Sequence, residues 1–209
     1  MKLLLLLVAV VVLALIGVIV WIGSPKGPRL EDVAHLREPR LTMLLPLKVL
    51  LVTALGDPNT VGKKAFGRLM RTYYGLKGVP KGGAAFKAPR ARWPDAGGAS
   101  REWTGYYALP VPDSVTELPA RRAEAGLEVT LATWEYGEVA EILHVGPYSA
   151  EEPTVARLKS FIEERGYEIA GAHEEEYLRG PGMLFAGNPR GYLTLIRYPV
   201  RRKALPPAL

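Results

Sequence analysis

Val139-Ala140-Glu141-Ile142-Leu143-His144-Val145 is an apolar run of strand length, and Gly146-Pro147-Tyr148 closes it with turn residues. Residues 151–165 then carry Val155, Leu158, Phe161 and Ile162 at helical spacing, and Gly166 is the stop signal. The same order occurs earlier in the chain. Residues 49–55 read as a buried strand, Gly56-Asp57-Pro58-Asn59 as a turn with helix-capping residues, and residues 60–74 as a helix. On that helix Val61, Ala65, Leu69 and Tyr73 recur every fourth residue, and Gly75 ends it. Gly56 falls against Gly146, and Arg68-Leu69 against Arg157-Leu158. Each copy closes on a related strand, Gly105-Tyr106-Tyr107-Ala108-Leu109-Pro110-Val111 in the first and Gly191 to Val200 in the second. The spacing predicts a duplicated β-α-β-β module. Two copies make one pseudo-symmetric α+β domain, with helices packed on a largely antiparallel sheet. A glycine- and proline-rich stretch, residues 77–100, interrupts the first copy; a short strand at 84–87 and an exposed loop before Trp103 are expected there.

Working outward, the chain has 209 residues, 48% hydrophobic and 23% charged, which excludes wholesale disorder. With no cysteine, thiol catalysis, cysteine–zinc sites and a disulfide framework are all excluded. His35, His144 and His173 are scattered, so no metal site and no cofactor are expected from the sequence. A net charge of +6 is too modest to argue nucleic-acid binding without a motif, and no nucleic-acid partner is expected.

Residues 3–22 form an uncharged apolar run that would reach about 30 Å as a helix, the thickness of a hydrocarbon core. A cleavable signal peptide is the competing reading. The run exceeds the usual signal core of about 7–15 residues, and Val20-Trp21-Ile22 offers no small-residue cleavage site. The expectation is a single-pass membrane anchor over residues 1–23 in the lipid bilayer, followed by a juxtamembrane linker over 24–46. The module pair would occupy 47–200, and 201–209 would be a basic, proline-containing tail. Lys26, Arg29, Arg37 and Arg40 follow the run, which favours a cytoplasmic domain.

Charge divides the domain. Every charged residue from 58 to 94 is basic, whereas from 135 to 176 eleven glutamates stand against Arg157, Lys159 and Arg165. One reading is a pair of solvated faces. The other lays Lys63, Lys64, Arg68 and Arg71 against an anionic leaflet.

His144-Val145-Gly146-Pro147-Tyr148, the amphipathic helix after it, Glu175-Glu176-Tyr177-Leu178 and the closing Tyr198-Pro199-Val200 carry a resemblance to the GyrI-like effector-binding family. The resemblance is strongest over the last 70 residues or so, and residues 105–115 look like the family's glycine-led strand. It implies a small-molecule-binding domain with a cleft between the two modules, lined by aromatics and carrying a central glutamate. Regulators of the AraC and MerR type bear such domains, but no helix-turn-helix segment precedes the domain here.

Glu175 is the position matching the family's glutamate. Strand alternation puts Glu175 and Tyr177 on one face and Glu174, Glu176 and Leu178 on the other. A buried carboxylate beside a tyrosine hydroxyl and aromatic walls suits a hydrophobic, cationic ligand. Trp103, Tyr106, Trp134 and Tyr192 are the candidate wall residues. The alternative is three glutamates on an exposed edge strand, where they hinder aggregation. His144, in an apolar strand, reads as a core histidine, and Tyr148 as packing for the helix start. Some GyrI-like proteins are hydrolases, so Glu175 acting as a general base on a reactive small molecule is a rival to simple binding. A third reading is an adaptor that recruits a protein partner to the membrane.

Overall fold

The computed structural model describes residues 2–23, 26–81, 86–93, 103–119, 126–182 and 185–204; within the first segment, side chains are described from 6 to 20. Four α-helices occur in it: α1 (Lys2–Gly23), α2 (Leu30–Val33), α3 (Pro58–Gly75) and α4 (Glu152–Glu164). Nine strands form the sheet: β1 (Arg40–Leu44), β2 (Leu47–Leu55), β3 (Arg90–Trp93), β4 (Thr104–Pro110), β5 (Thr130–Trp134), β6 (Gly137–Val145), β7 (Tyr167–Ile169), β8 (His173–Arg179) and β9 (Leu193–Arg202).

The strand order is β1-β6-β9-β8-β3-β4-β2-β5, with β7 paired to β9, and the pairings are antiparallel. Read from the β8–β3 seam, β8-β9-β6 on one side mirrors β3-β4-β2 on the other. This is a duplicated β-α-β-β unit arranged about a pseudo-twofold. The turn between strand and helix uses the same backbone in both copies, with Gly56 at φ +134° and Gly146 at φ +142°. A side chain at either position would be strained, which is why the two glycines align. Asp57 caps α3 by accepting from the Asn59 N–H, and Pro58 opens its first turn.

The strand that precedes each copy joins the other copy. β1 leads into β2 yet pairs with β6, and β5 leads into β6 yet pairs with β2. Only residues 45–46 separate β1 from β2, about 10 Å of extended chain, although these strands lie near opposite ends of the order. The sheet must therefore curl to bring its ends together. The stretch read from sequence as a linker, 24–46, thus carries α2 and β1, and β9 runs two residues past 200. In the first copy the inner strand begins at Arg90; of the expected strand at 84–87, residues 84 and 85 lie outside the described residues.

Helices α3 and α4 cover the outer face of the curl. Under α3, Leu50, Val52, Tyr107 and Leu109 meet Ala65, Leu69 and Tyr73; under α4, Ala140, Ile142 and Ile196 meet Leu158 and Ile162. The other face is different. At one end Leu36 closes over Leu143, Leu193 and Leu195, and at the other Trp134 packs on Val49 and Ala108. Between them lies a buried ionic network. Arg197 reaches Glu141 at 2.7 Å, Glu176 at 2.6 Å and Glu174 at 3.3 Å; Arg90 reaches Glu176 at 3.1 Å; and Arg40 reaches Glu141 at 2.6 Å. The opposite charges of the two halves meet here, across the seam.

The expected membrane anchor is corrected. Among the described residues no helix is long and apolar enough to cross a membrane. The single-pass membrane placement, and the cytoplasmic placement of the domain derived from it, fall with the anchor. On α3, Lys63, Lys64 and Arg71 are exposed and Arg68 is half-buried, but nothing supports a lipid contact for them.

Candidate ligand site at Glu175

Strand β8 lies inside the sheet, with β9 on one side and β3 on the other. Its three glutamates are therefore not on an exposed edge. Glu174 and Glu176 point into the curl and are neutralised by arginines, while His173, Glu175 and Tyr177 point to the helical face. Opposite Glu175 stand Ala91 and Ile196, so its immediate cross-strand neighbours bring no charge.

Glu175 is 8% exposed. His173 Nε2 lies 2.9 Å from its Oε1, and His173 Nδ1 lies 2.9 Å from the Tyr198 hydroxyl. The Glu151 carboxyl, at the start of α4, brings an oxygen within 4.8 Å of the same carboxylate, and Tyr177 stands on the same face of β8. Burial first, and then the charge of Glu175, push the Glu151 carboxyl up to about 9, so it holds a proton at neutral pH. The same two causes, in the same order, raise the tyrosines around it: Tyr198 to about 12, and Tyr148 and Tyr177 well above their ordinary value. All three remain hydroxyl donors across the physiological range.

Aromatic rings surround this acidic centre. Phe66 from α3 meets Tyr177 edge-on at 5.5 Å and Tyr107 at 5.3 Å. Tyr148 sits 5.6 Å from Tyr177 and 5.5 Å from Tyr192, and is 38% exposed, so it forms the outer lip. Trp93 lies 5.9 Å from the His173 ring and 6.4 Å from Tyr107. Four buried polar atoms in this region have no hydrogen-bond partner: Trp93 Nε1, Tyr107 Oη, Glu151 Oε1 and Thr194 Oγ1. Buried polar atoms are normally satisfied, so these four stand apart from the rest of the core.

Of the residues singled out from sequence, the structure brings Glu175, Tyr177 and Tyr192 together. Trp103 is half-buried against the α3 core, as Tyr177 is. Tyr106 and Trp134 lie on the other face of the sheet, where the Trp134 ring sits 4.1 Å from the Arg92 guanidinium. It is Tyr107, one residue on, that faces the site. His144 bonds Thr154 at 3.0 Å and the Pro147 carbonyl at 3.2 Å, a fully engaged core histidine. Sequence reasoning missed Glu151, His173, Phe66, Trp93 and Tyr198. For His173 a signal existed: it stands two residues before Glu175, on the face that alternation assigns to Glu175 and Tyr177. Glu151, His173 and Glu175 also present ligand atoms within 4.8 Å of one another, an arrangement able to hold a metal ion and not apparent in the scattered histidines.

Neither a protein-family model nor a curated protein matches the chain in sequence. In structure it is similar to a hydrolase of Listeria innocua, with a TM-score of 0.64 and 22% identity, over 84% of this chain and 100% of that one. An uncharacterized conserved protein of the same species gives 0.64 and 26%, over 79% and 93%. The C-terminal domain of EcmrR gives 0.58 and 14%, over 79% and 98%. These likenesses show a shared fold.

Proposed function

We propose that this domain binds a small hydrophobic molecule bearing positive charge, held between α3 and α4 with its cationic end on Glu175. One observation carries the reading: Glu175 is a buried acid inside a ring of tyrosine, tryptophan and phenylalanine side chains. The guanidinium groups that neutralise its neighbours Glu174 and Glu176 lie on the opposite face of the sheet. An organic cation gains both from the carboxylate and from the ring faces, and it sheds little hydration on entering. Tyr148, partly exposed, is placed to close over it.

The test is calorimetric binding of benzyltrimethylammonium and of its uncharged isostere neopentylbenzene to the wild-type chain and to Glu175→Gln. The substitution should cost the cation roughly 1.5–3 kcal/mol, the usual loss for a charge-assisted contact, and leave the neutral compound nearly unaffected. Equal losses for both compounds, or none for either, would overturn the assignment.

A hydrolytic reading has one observation in its favour. The Glu151 carboxyl, pushed up to about 9 by burial and by the charge of Glu175, has an oxygen within 4.8 Å of the Glu175 carboxylate, which supplies an acid and a base at one point. Consumption of a reactive electrophile by the wild-type chain, lost in both Glu151→Gln and Glu175→Gln, would favour it over binding alone.

A further inference from the structure

We propose that Glu151, His173 and Glu175 form a binding site for a divalent transition metal of the zinc class. One imidazole nitrogen and two carboxylates make a donor set suited to zinc, cobalt or manganese and poorly suited to magnesium or calcium, which prefer oxygen alone. At metal–ligand distances of about 2.0–2.2 Å, tetrahedral ligand atoms stand about 3.3–3.6 Å apart. His173 Nε2 and Glu175 Oε1 are 2.9 Å apart, and the three ligand atoms all lie within 4.8 Å of one another. Small side-chain shifts bring them to a common centre.

The surroundings separate this cluster from a chance group of acids. The Tyr198 hydroxyl lies 2.9 Å from Nδ1 of His173, which fixes the ring and directs Nε2 at the carboxylates; with a metal on Nε2, Nδ1–H would donate to that hydroxyl oxygen as an outer-shell partner. Glu151 Oε1 and the hydroxyl oxygen of Thr194, a residue 0% exposed, are both buried without a hydrogen-bond partner. The rest of the acidic half shows the contrast. Glu141, Glu174 and Glu176 are saturated by Arg40, Arg90, Arg92 and Arg197, and both nitrogens of His144 are taken. Among the described residues no arginine or lysine pairs with Glu151 or Glu175. Three protein ligands leave a fourth position for water or a donor atom of a bound molecule.

The site shares Glu175 with the organic cation proposed above, but its occupancy by metal stands independently of that ligand. The full-length chain, stripped with a chelator and exchanged into metal-free buffer, is titrated with Co²⁺ followed by visible absorption, and with Zn²⁺ in competition with a chromophoric chelator. About one equivalent should bind, with millimolar Mg²⁺ and Ca²⁺ failing to compete. His173→Ala and Glu151→Gln should each weaken Zn²⁺ binding roughly a hundredfold or more, and Tyr198→Phe, which removes only the outer-shell hydroxyl, by about 10–100-fold. His35→Ala, an exposed histidine, should bind as wild type does. Circular dichroism of each variant establishes that it is folded, and ¹⁵N shifts of the His173 ring on adding Zn²⁺ report ligation in the wild-type chain itself. No uptake, uptake unchanged in His173→Ala and Glu151→Gln, or an unmoved His173 resonance each overturn the site. Benzyltrimethylammonium binding that persists when Zn²⁺ uptake fails would remove the metal and leave the small-molecule reading intact.

Discussion

Arg92 on β3 and Glu174 on β8 face each other across the seam between the two repeats, with Nε 2.6 Å from Oε2. Glu174 also accepts from the Tyr136 hydroxyl at 2.9 Å and from Arg197 at 3.3 Å, and its side chain is 2% exposed. Part of the basic half and part of the acidic half are therefore joined inside the curl. Removing one member of a buried ionic network strands the others, which typically costs about 3–5 kcal/mol. Glu174→Ala should lose stability on that scale in urea denaturation. The exposed Arg201–Glu168 pair, at a similar 2.6 Å, should lose no more than about 1 kcal/mol when Glu168 is replaced by alanine.

Gly105 exists for the ring of Tyr107. A methyl group at 105 would stand 2.6 Å from Tyr107 Cε2, and the ring cannot swing away because Gly62 of α3 holds its other side, where a methyl would meet Cε1 at 3.2 Å. Tyr107 is 1% exposed and faces the site. Gly105→Ala should therefore cost about 1–3 kcal/mol, as overpacking generally does, and alter the near-ultraviolet circular dichroism of the aromatic cluster. Gly191→Ala, with nothing within 4 Å, should stay within about 0.5 kcal/mol of wild type.

Strand–helix order, the matching turns at Gly56 and Gly146, and the shared face of Glu175 and Tyr177 were all legible in the sequence, because each rests on local periodicity or backbone sterics. What escaped depended on partners far along the chain. β3 carries Arg90 and Arg92, and a short segment with two arginines reads as loop until Glu174 and Glu176 are known to lie opposite. The same two arginines were counted toward a basic surface, yet they are turned inward. β1 is equally obscure, since its pairing with β6 comes from exchange between the repeats. Tyr106 and Tyr107 differ by one register step, and only the packing of Phe66 and Trp93 on Tyr107 shows which one faces the site. Glu151 and His173 belong to different elements and converge only in three dimensions. The apolar run at 3–22 shows the opposite failure: it does form a helix, Lys2–Gly23, yet among the described residues no helix is long and apolar enough to cross a membrane.

Glu151 links this site to the pH dependence of stability. In the metal-free protein its carboxyl is held up to about 9, by burial and by Glu175, against an ordinary value of 4.5. Between those two values the unfolded chain has released the proton while the folded chain still binds it. The unfolded state thus binds fewer protons, and this group's contribution to stability falls as pH rises through that window. Below 4.5 both states are protonated and the penalty is absent; above 9 it is complete. Glu151→Gln removes the ionisable proton while keeping the shape and a donor to Glu175. Urea midpoints of the metal-free chain measured from pH 5 to 8.5 should fall more steeply for wild type than for the variant. At pH 8.5 the variant should have gained stability relative to wild type compared with pH 5. Glu175→Gln should also flatten the wild-type slope, because it removes the charge that helps hold the Glu151 proton. Parallel slopes for wild type and Glu151→Gln would mean that Glu151 ionises normally in the folded chain and that the two carboxyl groups do not share a proton.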